Sequence, residues 1–133
     1  ALQKAAPVYI SREIKGADGK TEALEIDEDF DRAWRRVGVG LDRVGLNIED
    51  RDRSAGIYYI RYLDPDYEVK KRNDEGLFSR WFSNEKPVDA PLYRVKLVSD
   101  GNKTTVTAMP DSDKTDPLST SARILNLLQE QVR

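Results

Sequence analysis

Between residues 46 and 108 every tight connection is a turn between two alternating runs, and this limits the fold more than any other feature. Ser54-Ala55-Gly56 separates a run at 46–51 from one at 57–63. Asp100-Gly101-Asn102 separates "LYRVKLV" from "TTVTAM". Short period-two runs joined by Gly-containing turns are hairpins, with Gly56 supplying a positive φ. Consecutive hairpins build an antiparallel sheet, which can hold helices on one face and leave the other wet.

The pattern assigns faces. In 57–62, Arg61 belongs in water, so Tyr58, Ile60 and Tyr62 face the core. Leu46 and Ile48 do the same in the preceding strand. Asp50 and Asp52 continue the line of Ile48 past the core to the hairpin's end. Across the second hairpin, Tyr93, Val95 and Leu97 are expected to meet Val106 and Ala108.

Helical periodicity flanks the hairpins. "ALEID" at 23–27 reads as a strand with Leu24 and Ile26 inward. It runs into a helix whose acidic start, Glu28, Asp29 and Asp31, suits the positive end of the helix dipole. Phe30, Trp34, Val37, Leu41 and Val44 form one apolar stripe, and Gly45 is placed as a left-handed cap. Gly38 and Gly40 lie inside this helix, each costing about 1 kcal/mol relative to Ala, and close approach to a sheet is the expected return. A last helix begins near Asp116-Pro117, with Pro suited to a first turn. It buries Ala122, Leu125, Leu128 and Val132, widened by Ile124. Residues 1–22 read as a linker or flexible arm with a short docked strand at Val8-Tyr9-Ile10, and 64–90 as an insertion. The expected class is α+β, over a domain at 23–133.

Composition narrows the chemistry. At 133 residues the chain is one domain, able to bury a modest core. Its 22 basic and 24 acidic residues nearly cancel, so no overall field points to nucleic acid or an anionic membrane. It has no cysteine and no histidine, hence no thiol nucleophile, no thiolate site, and no imidazole base or ligand. No run approaches the roughly 18–20 apolar residues of a membrane-spanning helix. A start at Ala-Leu-Gln reads as a fragment of a longer or processed protein.

The charged clusters have plain explanations. Asp50 and Asp52 could form an acid/base pair or bind a metal, but they sit at a loop tip without histidine, and a solvated rim accounts for them. Asp111, Asp113 and Asp116 hint at calcium, yet lack the central Gly and distal Glu of a calcium loop, and an Asp-rich segment before a helix is ordinary capping. "KKR" at 70–72 is offset by Glu68, Asp74 and Glu75. No phosphate loop, nucleophile elbow or zinc motif occurs. No metal, cofactor or catalytic residue is expected. "EGLFSRWFSNE" at 75–85 stands apart. Leu77, Phe78, Trp81 and Phe82 make a short amphipathic helix that either covers its own sheet or binds a partner or membrane interface. Phe78, Trp81 and Phe82 are the candidate partner-binding residues.

The block "LEIDEDFDRAWRRVGVGLDRVGLNIEDRDRSAGIYYIRYLDP", 24–65, resembles the NlpB/DapX lipoprotein family. The resemblance is carried by Phe30 and Ala33-Trp34 at the helix start, "LDRVG" at 41–45, "EDRDRS" at 49–54, the Gly56 turn and "YIRY" at 59–62. "ARILNLLQEQ" at 122–131 is similar to the family's closing helix. The resemblance implies a helix-grip fold, with an antiparallel sheet packed against a long N-terminal helix and a C-terminal helix. It implies the second of two such domains in a lipid-anchored protein, whose anchor lies outside this chain. It also implies an accessory role in the outer-membrane β-barrel assembly machinery of a Gram-negative bacterium, on the periplasmic face, with cell-surface exposure the alternative. BamD is the implied principal partner, bound through an arm this chain lacks. On this reading the chain is not an enzyme and acts by protein–protein contact, through the Phe78/Trp81/Phe82 patch and a groove between helix and sheet. A helix-grip small-molecule or lipid carrier is the rival by fold analogy, and an acidic-residue hydrolase is the third reading.

Overall fold

The structure, a computed structural model, describes residues 9–62, 91–112, 116 and 119–133. The chain runs β1 (Ser11–Lys15), β2 (Thr21–Ile26), α1 (Phe30–Arg43), β3 (Asn47–Asp52), β4 (Ile57–Arg61), β5 (Leu92–Asp100), β6 (Lys103–Pro110) and α2 (Thr120–Val132). The class is α+β, as the pattern implies. Six strands form one sheet in the order β1-β2-β6-β5-β4-β3, antiparallel at every step. Three pairs are hairpins or near neighbours in the chain. The long-range β2–β6 pairing, with Leu24 opposite Val106, joins the β1–β2 hairpin to the rest of the sheet.

Both helices lie on one face. α1 covers β6, β5 and β3, and α2 covers β1, β2 and β6 while touching α1. Between them and the sheet sit Leu24, Ile26, Val37, Leu41, Ile60, Val95, Val106, Ile124 and Leu128, all fully buried. Each such side chain contributes about 1.5–3 kcal/mol on leaving water. The expected cross-strand meetings occur, Val95 with Ala108 and Leu97 with Val106.

α1 has defined ends. Asp29 is its N-cap and accepts from the Arg32 amide at 3.0 Å. At its other end Gly45 adopts φ +77°. The Gly45 amide donates to the Asp42 carbonyl and the Leu46 amide to the Leu41 carbonyl, the paired bonds of a Schellman stop. The two internal glycines mark close approaches. A Cβ on Gly38 would lie 2.5 Å from the Tyr58 hydroxyl oxygen on the sheet. One on Gly40 would lie 2.8 Å from Leu128 Cδ1 and 3.3 Å from Val132 Cγ1 on α2. Gly38 thus lets the helix meet a sheet side chain, and Gly40 serves the helix–helix crossing, which the sequence reading assigned to the sheet.

Two expectations are corrected. Residues 11–22, read as part of a linker or arm, supply β1 and the start of β2, because the sheet continues past β2 and gives the polar run "SREIK" backbone partners. The docked strand is Ser11–Lys15; of the expected Val8-Tyr9-Ile10 strand, Tyr9 and Ile10 lie outside it and Val8 lies outside the described residues. α2 begins at Thr120 rather than near Asp116. The Asp116 carboxylate accepts from the Thr120 and Ser121 amides at 3.0 and 2.9 Å, so it caps the helix from outside. α1 has 14 residues and α2 has 13.

Candidate functional site

The β3–β4 hairpin carries an irregularity the alternation rule does not foresee. Ile48 pairs with Ile60, but Asp50 pairs with Tyr59, so Glu49 is an extra residue in β3. Such a bulge reverses the inside–outside order beyond it. Arg51, not Asp50 or Asp52, therefore lies opposite the core-facing Tyr58. The extrapolation that placed the two aspartates in line with Ile48 fails for this reason.

Asp52 has a structural task. It accepts from Ser54 Oγ at 2.7 Å and from the Ala55 amide at 3.2 Å. These bonds hold its carboxyl below the usual carboxylate range. A general acid needs the opposite shift. The other shifts on the sheet also run away from neutrality. Hydrogen bonds from Arg12 lower Asp27 and Glu25, and burial raises Tyr58 against the pull of Arg51 and Arg53. Asp111, of the candidate calcium cluster, lies 3.4 Å from Arg94. Asp116 caps α2, and Asp113 lies outside the described residues. Among the described residues no cluster of acidic side chains could hold a metal ion.

The bulge helps build a groove between α1 and the sheet edge, with a volume of about 500 Å³. Arg35, Gly38, Val39 and Asp42 form the helix wall. Asn47, Ile48 and Arg51 form the strand wall, and Trp34 and Tyr58 form the floor. The floor is rigid. Trp34 stacks on Tyr58 with ring centroids 3.9 Å apart, and on Phe30 at 5.6 Å. The Tyr58 hydroxyl donates to the Trp34 carbonyl at 2.6 Å. One end is closed by Arg53, which donates to Asp31 at 2.5 Å. Stacked rings thus form the base of the groove beside α1. What remains open is a surface trough with an aromatic base and guanidinium rims, suited to recognising a polar chain. The sequence pattern contained the arginines of α1, but only the bulge brings Arg51 to the helix side.

Phe78, Trp81 and Phe82, like "KKR" at 70–72, lie outside the described residues. Among those described, no helix is long and apolar enough to cross a membrane.

Comparison with known proteins adds a second line of evidence. A family model described as the outer membrane protein assembly factor BamC-like C-terminal domain matches residues 13–132. An outer membrane protein assembly factor BamC of Accumulibacter regalis is 40% identical over 130 residues, covering 96% of this chain and 33% of the relative. One from Thiobacillus denitrificans is 40% identical over 126 residues, covering 92% and 34%. One from Pseudoalteromonas atlantica is 28% identical over 104 residues, covering 75% and 26%. The chain spans about a third of the length of the curated relatives it matches.

Proposed function

The chain belongs to the BamC-like C-terminal domain family, and on that premise we propose that it is a non-enzymatic docking domain of the machinery that assembles outer-membrane β-barrel proteins. The observation that carries this reading is the match along residues 13–132. The trough beside α1 supports it physically. It offers donors and an aromatic base for a partner segment, and the Asp31 carboxylate on its lining is engaged by Arg53.

In this reading the fold is a helix-grip arrangement, with both helices laid on one face of the antiparallel sheet. The parent protein is lipid-anchored at the outer membrane, on its periplasmic face, and BamD is the partner to test first. Two surfaces do the work, the α1–β3 trough and the patch of Phe78, Trp81 and Phe82. Aromatic residues of that kind carry a large share of binding energy at protein interfaces.

The test is a pulldown of assembly components with the protein tagged. Alanine at Trp81 and Phe82, or at Arg35 and Arg51, reduces recovery at least about fivefold if each surface contributes the ~1 kcal/mol or more of a binding contact. Undiminished recovery from a folded variant removes the corresponding surface from the proposal.

A further inference from the structure

Arginine recurs along the exposed side of α1 in a way the fold does not need. Arg32, Arg35, Arg36 and Arg43 lie across the helix from the buried Trp34, Val37 and Leu41. They line a second groove, of about 470 Å³, whose far wall includes Gln131 near the end of α2. Arg36 is matched by Glu28. Among the described residues, Arg32, Arg35 and Arg43 have no ion-pair partner.

This arrangement opposes helix stability twice. Arg32 stands in the first turn, near the positive end of the helix dipole, where a cation is unfavourable, whereas Arg43 in the last turn suits the negative end. Arg32 also lies three and four residues from Arg35 and Arg36, spacings at which like charges repel. The chain as a whole has a net charge of −2, so the stripe is not a local sample of a generally basic surface. A local rule broken without a compensating contact in the fold marks a site shaped for something outside it.

We propose that this groove binds an acidic segment of a partner protein. Carboxylates match the planar fork of arginine with paired, charge-assisted hydrogen bonds. Arg43 follows Arg32 by eleven positions, which at 1.5 Å per residue is about 16.5 Å, or roughly three turns of a partner helix. Val39, 46% exposed, lies among the arginines and gives such a segment one apolar contact. An anionic bilayer fits less well. Val39 is the one large apolar side chain among the described residues lining the face, whereas interfacial binding uses several anchors.

The inference rests on reading the domain as a protein-docking module, but its test uses no assembly component, so the two fail separately. The probe is a fluorescein-labelled helical peptide with a glutamate stripe, titrated against the 133-residue chain by fluorescence anisotropy. The triple variant R32Q/R35Q/R43Q is expected to weaken binding at least about tenfold, as loss of charge-assisted contacts requires. The charge-matched K15Q/K96Q/K103Q, altered on other surfaces, stays within about twofold. Amide resonances of residues 32–43 shift when peptide is added to the unmodified chain, a readout that holds even if the glutamine variant folds poorly. Absence of peptide binding overturns the proposal. So do equal losses in both triple variants, shifts confined elsewhere, or binding to phosphatidylglycerol vesicles but not to the peptide.

Discussion

Gly38 is the residue at which two physical effects can be set against each other. Alanine there gains about 1 kcal/mol of helix propensity, but its methyl meets the Tyr58 hydroxyl at 2.5 Å. Tyr58 cannot easily retreat, because it is stacked on Trp34 and bonded to the Trp34 carbonyl. Overpacking of this kind costs about 1–3 kcal/mol, so Gly38→Ala is expected to lower the urea midpoint. A raised midpoint would show that the approach is looser than described. Asp52 gives a prediction in pH. Its folded-state pKa is lowered, first by Ser54 and then by the Ala55 amide. Its contribution is therefore present above the unfolded carboxylate pKa and lost as pH falls through the lowered folded value. Ser54→Ala should move the Asp52 carboxyl resonance to a higher midpoint in an NMR titration and reduce stability near pH 5–7 but not below the folded pKa. An unmoved midpoint would assign the shift to another cause.

The elements were legible in the sequence to the extent that local rules governed them. The α1 stripe and its Gly45 stop, the faces of β4, and the pairing of β5 with β6 all follow from periodicity and turn chemistry. Trp34, Val37, Leu41, Tyr58 and Ile60 are buried as that pattern requires. β1 was missed because its residues alternate weakly and it lies at the sheet edge, where tertiary pairing rather than side-chain pattern makes the strand. The Glu49 bulge was missed because an inserted residue leaves no signature in a run that is charged throughout. For the same reason the trough was only half legible, as Arg35 sits on a predicted helix but Arg51 reaches it through the bulge. The bulge also protects β3, an edge strand, from pairing with another chain. Deleting Glu49 while changing Asp50 and Asp52 to valine removes the bulge and three of the edge's carboxylates. That variant should form concentration-dependent oligomers in sedimentation velocity, and a strictly monomeric one would show that the bulge and charges are not what keeps the edge apart.

At the scale of the whole molecule, two helices share one face of a sheet and the cationic side chains of α1 look outward on both of its flanks. The trough toward β3 and the groove toward α2 meet at Arg35 and Val39, which line both. On the proposed function the setting is outer-membrane assembly, and the trough and groove are the surfaces through which such a domain would dock. The most direct measurement is site-specific photocrosslinking in living cells from a photoreactive residue at position 39 or 51, with position 96 on the opposite face of the sheet as the control. Positions 39 and 51 are expected to capture a component of the outer-membrane assembly machinery, and position 96 is not. Capture from position 96 alone, or from all three positions alike, would contradict that expectation.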